Sequence, residues 1–134
     1  MRFLMLVKAN KDSEAGQMPD EKMLASMGKY NEELQKAGIL LDLSGLQPTS
    51  KASRVRFSGG KRTVVDGPFT EAKELIAGYW LIQVKSRAEA VEWAKRVPFE
   101  DGEIEIRQLF ELEDFAPSPA IERAKDLESK LGKK

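Results

Sequence analysis

Apolar and polar positions along this chain alternate with period two in several runs and recur at helical spacing in three others. Residues 2–9 set Phe3, Met5 and Val7 on one side of an extended segment and Leu4 and Leu6 on the other, which predicts a strand. Residues 10–19 are polar, include Gly16 and Pro19, and read as a loop. Over 21–37, Met23, Met27, Tyr30 and Leu34 share one helical face, with Asp20 placed to cap the start and Gly38 to end it. Residues 39–46 read as a second strand and run into the turn material Gln47-Pro48-Thr49-Ser50. Residues 54–57 and 62–65 flank Ser58-Gly59-Gly60-Lys61 and predict a β-hairpin. The strand over 77–85 carries Tyr79, Leu81 and Gln83 on one face and Trp80, Ile82 and Val84 on the other. Ser86 and Glu89 have the spacing of a capping box, and the helix they open must stop by Pro98. A last strand is expected over 103–112, and Ser118-Pro119 opens a short helix with Ile121, Ala124, Leu127 and Leu131 on its apolar stripe.

With the hairpin set aside, the order is strand, helix, strand, strand, helix, strand. That is the ferredoxin-like α+β plan, an antiparallel sheet with two helices on one face. The helices cover one face only, yet the 77–85 strand is apolar on both. A sheet with one wet face alternates apolar and polar residues. The second face therefore needs a cover, and the same face of a second copy, related by a two-fold axis, is the simplest one. A homodimer is the expectation.

Composition narrows the chemistry. The 134 residues suit one domain, and 41% hydrophobic with 33% charged residues supplies a core without suggesting disorder. The formal net charge is zero, which argues against a protein-wide grip on nucleic acid or anionic lipid. The apolar start, Met1 to Lys8, is too short for a membrane span or a signal peptide. The chain has no cysteine, which excludes disulfides and thiol chemistry and fits a cytoplasmic location. It also has no histidine. No Ser-His-Asp or Cys-His nucleophile can be built, nor a histidine-ligated haem or zinc, so no metal and no cofactor is expected. Acid–base chemistry falls to carboxylates, lysine and tyrosine. The neutral total hides two poles. Residues 51–62 hold Lys51, Arg54, Arg56, Lys61 and Arg62 without an acid, whereas 100–114 hold seven carboxylates against Arg107. These are solvated edges, surfaces that face each other within the fold or across a dimer, or a basic site for an anion or acidic partner.

Asp66-Gly67-Pro68-Phe69, followed by Glu71, Lys73, Glu74 and the Gly78-Tyr79 strand entry, resembles the DGPF-domain proteins of the YCII-related family. Gly45-Leu46-Gln47-Pro48 and Glu105-Ile106-Arg107 add to the likeness, which spans residues 1–113 and leaves 114–134 as a C-terminal helical extension. The resemblance implies a dimeric α+β barrel. Relatives of that family include small enzymes, among them a dehydrochlorinase of aromatic degradation, and a His–Asp pair is proposed as their active site. That pair cannot be carried over to a chain without histidine. Other DGPF proteins are linked to extracytoplasmic-function sigma factors, which implies a regulatory alternative.

The candidate residues each have two readings. Asp66 is a turn residue, accepting backbone hydrogen bonds while Gly67 bends and Pro68 fixes the exit, or it is a base at the lip of a cleft. Lys73 and Glu74 form a solvated face, or Lys73 anchors an anionic substrate. Arg107, among apolar strand residues, calls for a carboxylate partner, expected in the 66–74 stretch. Tyr79 is core, or it walls a pocket for an aromatic ligand. The resulting expectation is a cytoplasmic, cofactor-free homodimer that binds a small anionic or aromatic molecule. Its chemistry would be isomerisation or elimination, with Asp66 as catalytic base and Lys73, Glu74, Arg107 and Tyr79 as ligand contacts. The alternative is a non-catalytic regulatory or partner-binding protein of sigma-factor-dependent transcription.

Overall fold

A computed structural model describes residues 1–71 and 74–132. Strand β1 (Arg2–Lys8) leads through one turn of helix, α1 (Lys11–Glu14), into the long helix α2 (Glu21–Lys36). Strand β2 (Leu40–Gly45), a 3₁₀ turn at Thr49–Lys51, and a hairpin of β3 (Ser53–Ser58) and β4 (Lys61–Asp66) follow. Then come β5 (Ile76–Gln83), α3 (Arg87–Lys95), β6 (Ile104–Gln108), a 3₁₀ turn at Leu112–Asp114 and α4 (Pro119–Lys130). Four strands form an antiparallel sheet in the order β2-β5-β1-β6, the ferredoxin-like arrangement.

The helices begin where the side chains predict. The Asp20 carboxylate accepts from the Met23 amide at 2.8 Å, and Gly38, at φ 72°, follows the end of α2. Ser86 Oγ accepts from the Glu89 amide, while the Glu89 carboxylate reaches one residue past the cap and accepts from the Lys85 amide at 2.9 Å. Ser118 caps α4, with Pro119 in its first turn.

The core lies between α2, α3 and one face of the sheet. Phe3, Met5, Leu34 and Ile82 are fully enclosed. Each such side chain contributes roughly 1.5–3 kcal/mol through the apolar surface it removes from water. Tyr30 meets Trp80 edge-on at 5.4 Å, and both polar tips are satisfied. The Tyr30 hydroxyl donates to the Trp93 carbonyl and the Trp80 indole N–H to Asn31, each at 2.8 Å. Burial pushes the Tyr30 phenol up to about 12.

Two segments differ from the sequence reading. The polar 10–19 loop contains α1, held by reciprocal Asn10–Ser13 bonds at 2.9 Å; four residues are too few to show a helical period. The last strand stops at Gln108 instead of continuing to 112. There Arg2, nearly buried, pairs with Glu111 at 2.8 Å, and the Glu111 amide donates to Asp114, so the chain turns instead of extending. That ion pair also raises the Arg2 pKa from its ordinary value.

The hairpin is a sheet of its own, paired from Ser53–Asp66 out to Ser58–Lys61. Gly59 and Gly60, at φ 54° and 83°, make the two-residue turn that only glycine-like residues fit well. Every residue of β3 is exposed, and all of β4 except Val65. Val55, Phe57 and Val64 share one face, and Arg54, Arg56 and Lys61 the other. A two-stranded ribbon is marginal in water without cover. No helix among the described residues is long and apolar enough to cross a membrane.

Candidate functional site

The Asp66 motif forms the root of the hairpin. Asp66 ends β4, and its carboxylate accepts from the Ser53 hydroxyl at 2.7 Å, closing the strand pair. The Gly67 amide donates to the Ala52 carbonyl at 2.9 Å. A Cβ on Gly67 would lie 1.8 Å from the Thr49 carbonyl oxygen, so close approach, not backbone angle, demands glycine there. The Phe69 amide donates to Thr49 Oγ1 at 3.0 Å. Thr49 in turn gives its amide and its hydroxyl to the two carboxylate oxygens of Glu14. The Arg54 guanidinium lies 3.6 Å over the Phe69 ring. The motif thus latches the hairpin to the 49–51 turn and to α1. Glu74 is exposed beside this latch, and Lys73 lies outside the described residues.

Arg107 is not part of that latch, contrary to the expectation that a carboxylate of 66–74 would partner it. Its guanidinium donates to Glu105 at 3.2 Å, two residues back on the same strand face. Lys8 Nζ holds the other oxygen of Glu105 at 3.2 Å. Hydrogen bonds from Lys8 first, then Arg107, hold the Glu105 pKa below its ordinary value.

Register builds the rest of this open face, opposite α2 and α3. Tyr79 and Glu105 both sit across from Leu6, one on each neighbouring strand, and Leu81 and Arg107 both sit across from Leu4. On β2, Ser44 pairs with Tyr79 and Asp42 with Leu81. The Tyr79 hydroxyl donates diagonally to the Asp42 carboxylate at 2.9 Å. A half-buried apolar strip of Leu4, Leu6 and Leu81 is therefore flanked by a phenol–carboxylate pair on one side and a Lys–Glu–Arg cluster on the other. Of the sequence candidates, this face unites Tyr79 and Arg107 and leaves Asp66 and Glu74 at the hairpin root. Asp42 was missed by sequence reasoning. Its only signal is the two-residue spacing to Ser44, and the bulge between Leu40 and Asp42 obscures that strand's alternation.

A separate cleft of about 840 Å³ opens where β1 ends, between the start of α2 and the 98–103 loop. Val7, Met23 and Phe99 lie in its wall. Its carboxylates, Asp12, Asp20, Glu100, Asp101 and Glu103, outnumber Lys8 and Lys22, which disfavours an anionic guest. Asp66, Glu74, Tyr79 and Arg107 are not among its lining residues. Among the described residues, no group of three or more histidine, cysteine or acidic side chains is arranged to hold a metal.

The model of the YCII-related domain matches residues 1–113, and the chain belongs to that family. It is 33% identical over 93 residues to an uncharacterised protein of Rhizobium meliloti (strain 1021), a match covering 67% of this chain and 75% of that protein. Among solved structures it resembles 5-chloro-2-hydroxyhydroquinone dehydrochlorinase from Burkholderia phenoliruptrix AC1100 in complex with 2,5-dihydroxybenzoquinone. That match has 15% identity and a TM-score of 0.43, covering 82% of this chain and 94% of the other.

Proposed function

We propose that this YCII-related protein binds a small anionic or aromatic molecule between the open sheet faces of two copies. One observation carries the reading: the apolar strip of Leu4, Leu6 and Leu81 lies between Tyr79–Asp42 and Lys8–Glu105–Arg107. A planar ring fits against the strip. Arg107 is mostly exposed and gives one N–H to Glu105, so a carboxylate or phenolate finds further donors in its fork. Tyr79 and Asp42 form an acid–base pair suited to proton transfer, so cofactor-free isomerisation or elimination is the chemistry the set permits. In this reading Asp66 serves the hairpin root, and Glu74 stands outside the site.

A thermal-shift and calorimetric screen of benzoates and hydroxybenzoates tests the proposal. Saturable binding is expected, weakened about tenfold or more in Arg107→Ala and in Tyr79→Phe by loss of a charged or phenolic hydrogen bond, and unchanged in Asp66→Asn. Binding lost in Asp66→Asn alone would move the site to the hairpin root. Light scattering at micromolar concentration is expected to show dimers, and monomers alone would overturn the two-copy arrangement.

A further inference from the structure

The hairpin presents an apolar patch that shares its face with one arginine. Val55, Phe57 and Val64 are 51%, 69% and 64% exposed, and Arg62 stacks on Phe57 at 4.8 Å. Arg54, Arg56 and Lys61 occupy the reverse side. The latch at Gly67 and Thr49 fixes the direction in which this arm leaves the domain. A ribbon held so firmly at its root, and covered by so little, is built to meet another surface.

A surface of matching character lies elsewhere on the molecule. Phe110 and Phe115 pack against each other at 5.3 Å, and both are exposed. Around them stand Glu111, Glu113 and Asp114. One surface is apolar and basic, the other apolar and acidic.

Topology puts the two at opposite corners of the sheet. The arm departs beside the edge strand β2, where Leu46 bonds to Ala77 at the start of β5. Phe110 follows the other edge strand, β6, where Leu109 bonds to Arg2 at the start of β1. Since β1 and β5 are antiparallel, that corner is at the far end of β5. A protomer leaves its own two patches apart and bare. A two-fold axis along the diagonal that joins the other two corners of the sheet would lay one sheet across the other and bring each arm over the opposite corner of the second copy, twice.

We infer that the arm of β3 and β4 docks its apolar face on the Phe110–Phe115 patch of a second copy, with Arg62, which shares that face, meeting the acids around the patch. This inference rests on the two-copy reading above and adds a contact which that reading does not require.

Because the chain has no cysteine, disulfide trapping is free of background. Val64→Cys and Phe115→Cys are made separately, mixed and oxidised, with Leu24→Cys on α2 as an exposed control partner for each. The inference expects a covalent dimer from the Val64→Cys and Phe115→Cys mixture at least tenfold above either control mixture. It also expects Arg62→Glu to weaken the dimer about tenfold and the added change Asp114→Arg to restore it. Light scattering that shows intact dimers without the selective cross-link, or dimers indifferent to Arg62→Glu, would overturn the arm contact and leave the sheet-face reading standing. Monomers throughout for the unaltered chain would overturn both.

Discussion

On β5, Trp80 and Ile82 are shut between the sheet and helix α2, while on β3 and β4 the equally regular Val55, Phe57 and Val64 stand in solvent. Both segments are strands by the same local logic of alternation. They differ in what lies against them. The main sheet draws its stability from a helical layer, whereas the arm draws its shape from a glycine turn at one end and a side-chain latch at the other. A residue pattern therefore specifies a strand well before it specifies what the strand is for.

The contrast can be broken first in the core. Ile82→Ala is expected to cost about 2–5 kcal/mol, read as a lower urea midpoint with unchanged slope. Alkaline pH should reach the same layer. Folding holds the Tyr30 proton more tightly than the unfolded chain does, with the phenol moved from 10.0 to about 12. Its contribution is therefore complete below pH 10 and is lost as pH rises towards 12, on the order of 3 kcal/mol at most. Tyr30→Phe should remove this alkaline component of the stability curve, and an unchanged curve would refute the assignment.

The latch is next in size. Gly67→Ala drives a methyl group into the Thr49 carbonyl and should cost about 1–3 kcal/mol by overpacking. Amide exchange should quicken in the arm and the 49–51 turn but not in β1 or β5. The smallest effect belongs to the arm itself. Val64→Ser, measured where the protein is dilute and monomeric, should change stability by less than about 0.5 kcal/mol, because the side chain is already in water. A larger loss would mean that the arm is packed against its own domain.

The ferredoxin-like core was legible because its signals are local. The alternation of Phe3, Met5 and Val7, the stripe of Tyr30 and Leu34, and the caps at Asp20 and Ser86 each act within a few residues. The turn of Gly59-Gly60 was legible for the same reason. The latch was not: Glu14 and Thr49 are 35 residues apart, and α1, which positions Glu14, is shorter than any periodicity. Arg107 shows a different failure. Its partner Glu105 is two residues away, where strand geometry places side chains on one face, yet the distant Asp66 motif drew the assignment because it carries the family likeness. The motif is distinctive in sequence because it is crowded in space, and crowding at Gly67 is a demand of packing.

The irregularity in β2 has a further consequence. This strand lies at the edge of the main sheet with Leu41 and Leu43 exposed, the kind of border along which a foreign strand can add itself. The extra residue at Leu41 bends that border and interrupts the ladder beside it. What looks like a slip in pairing is then a guard against uncontrolled polymerisation, placed on the edge strand beside which the arm departs.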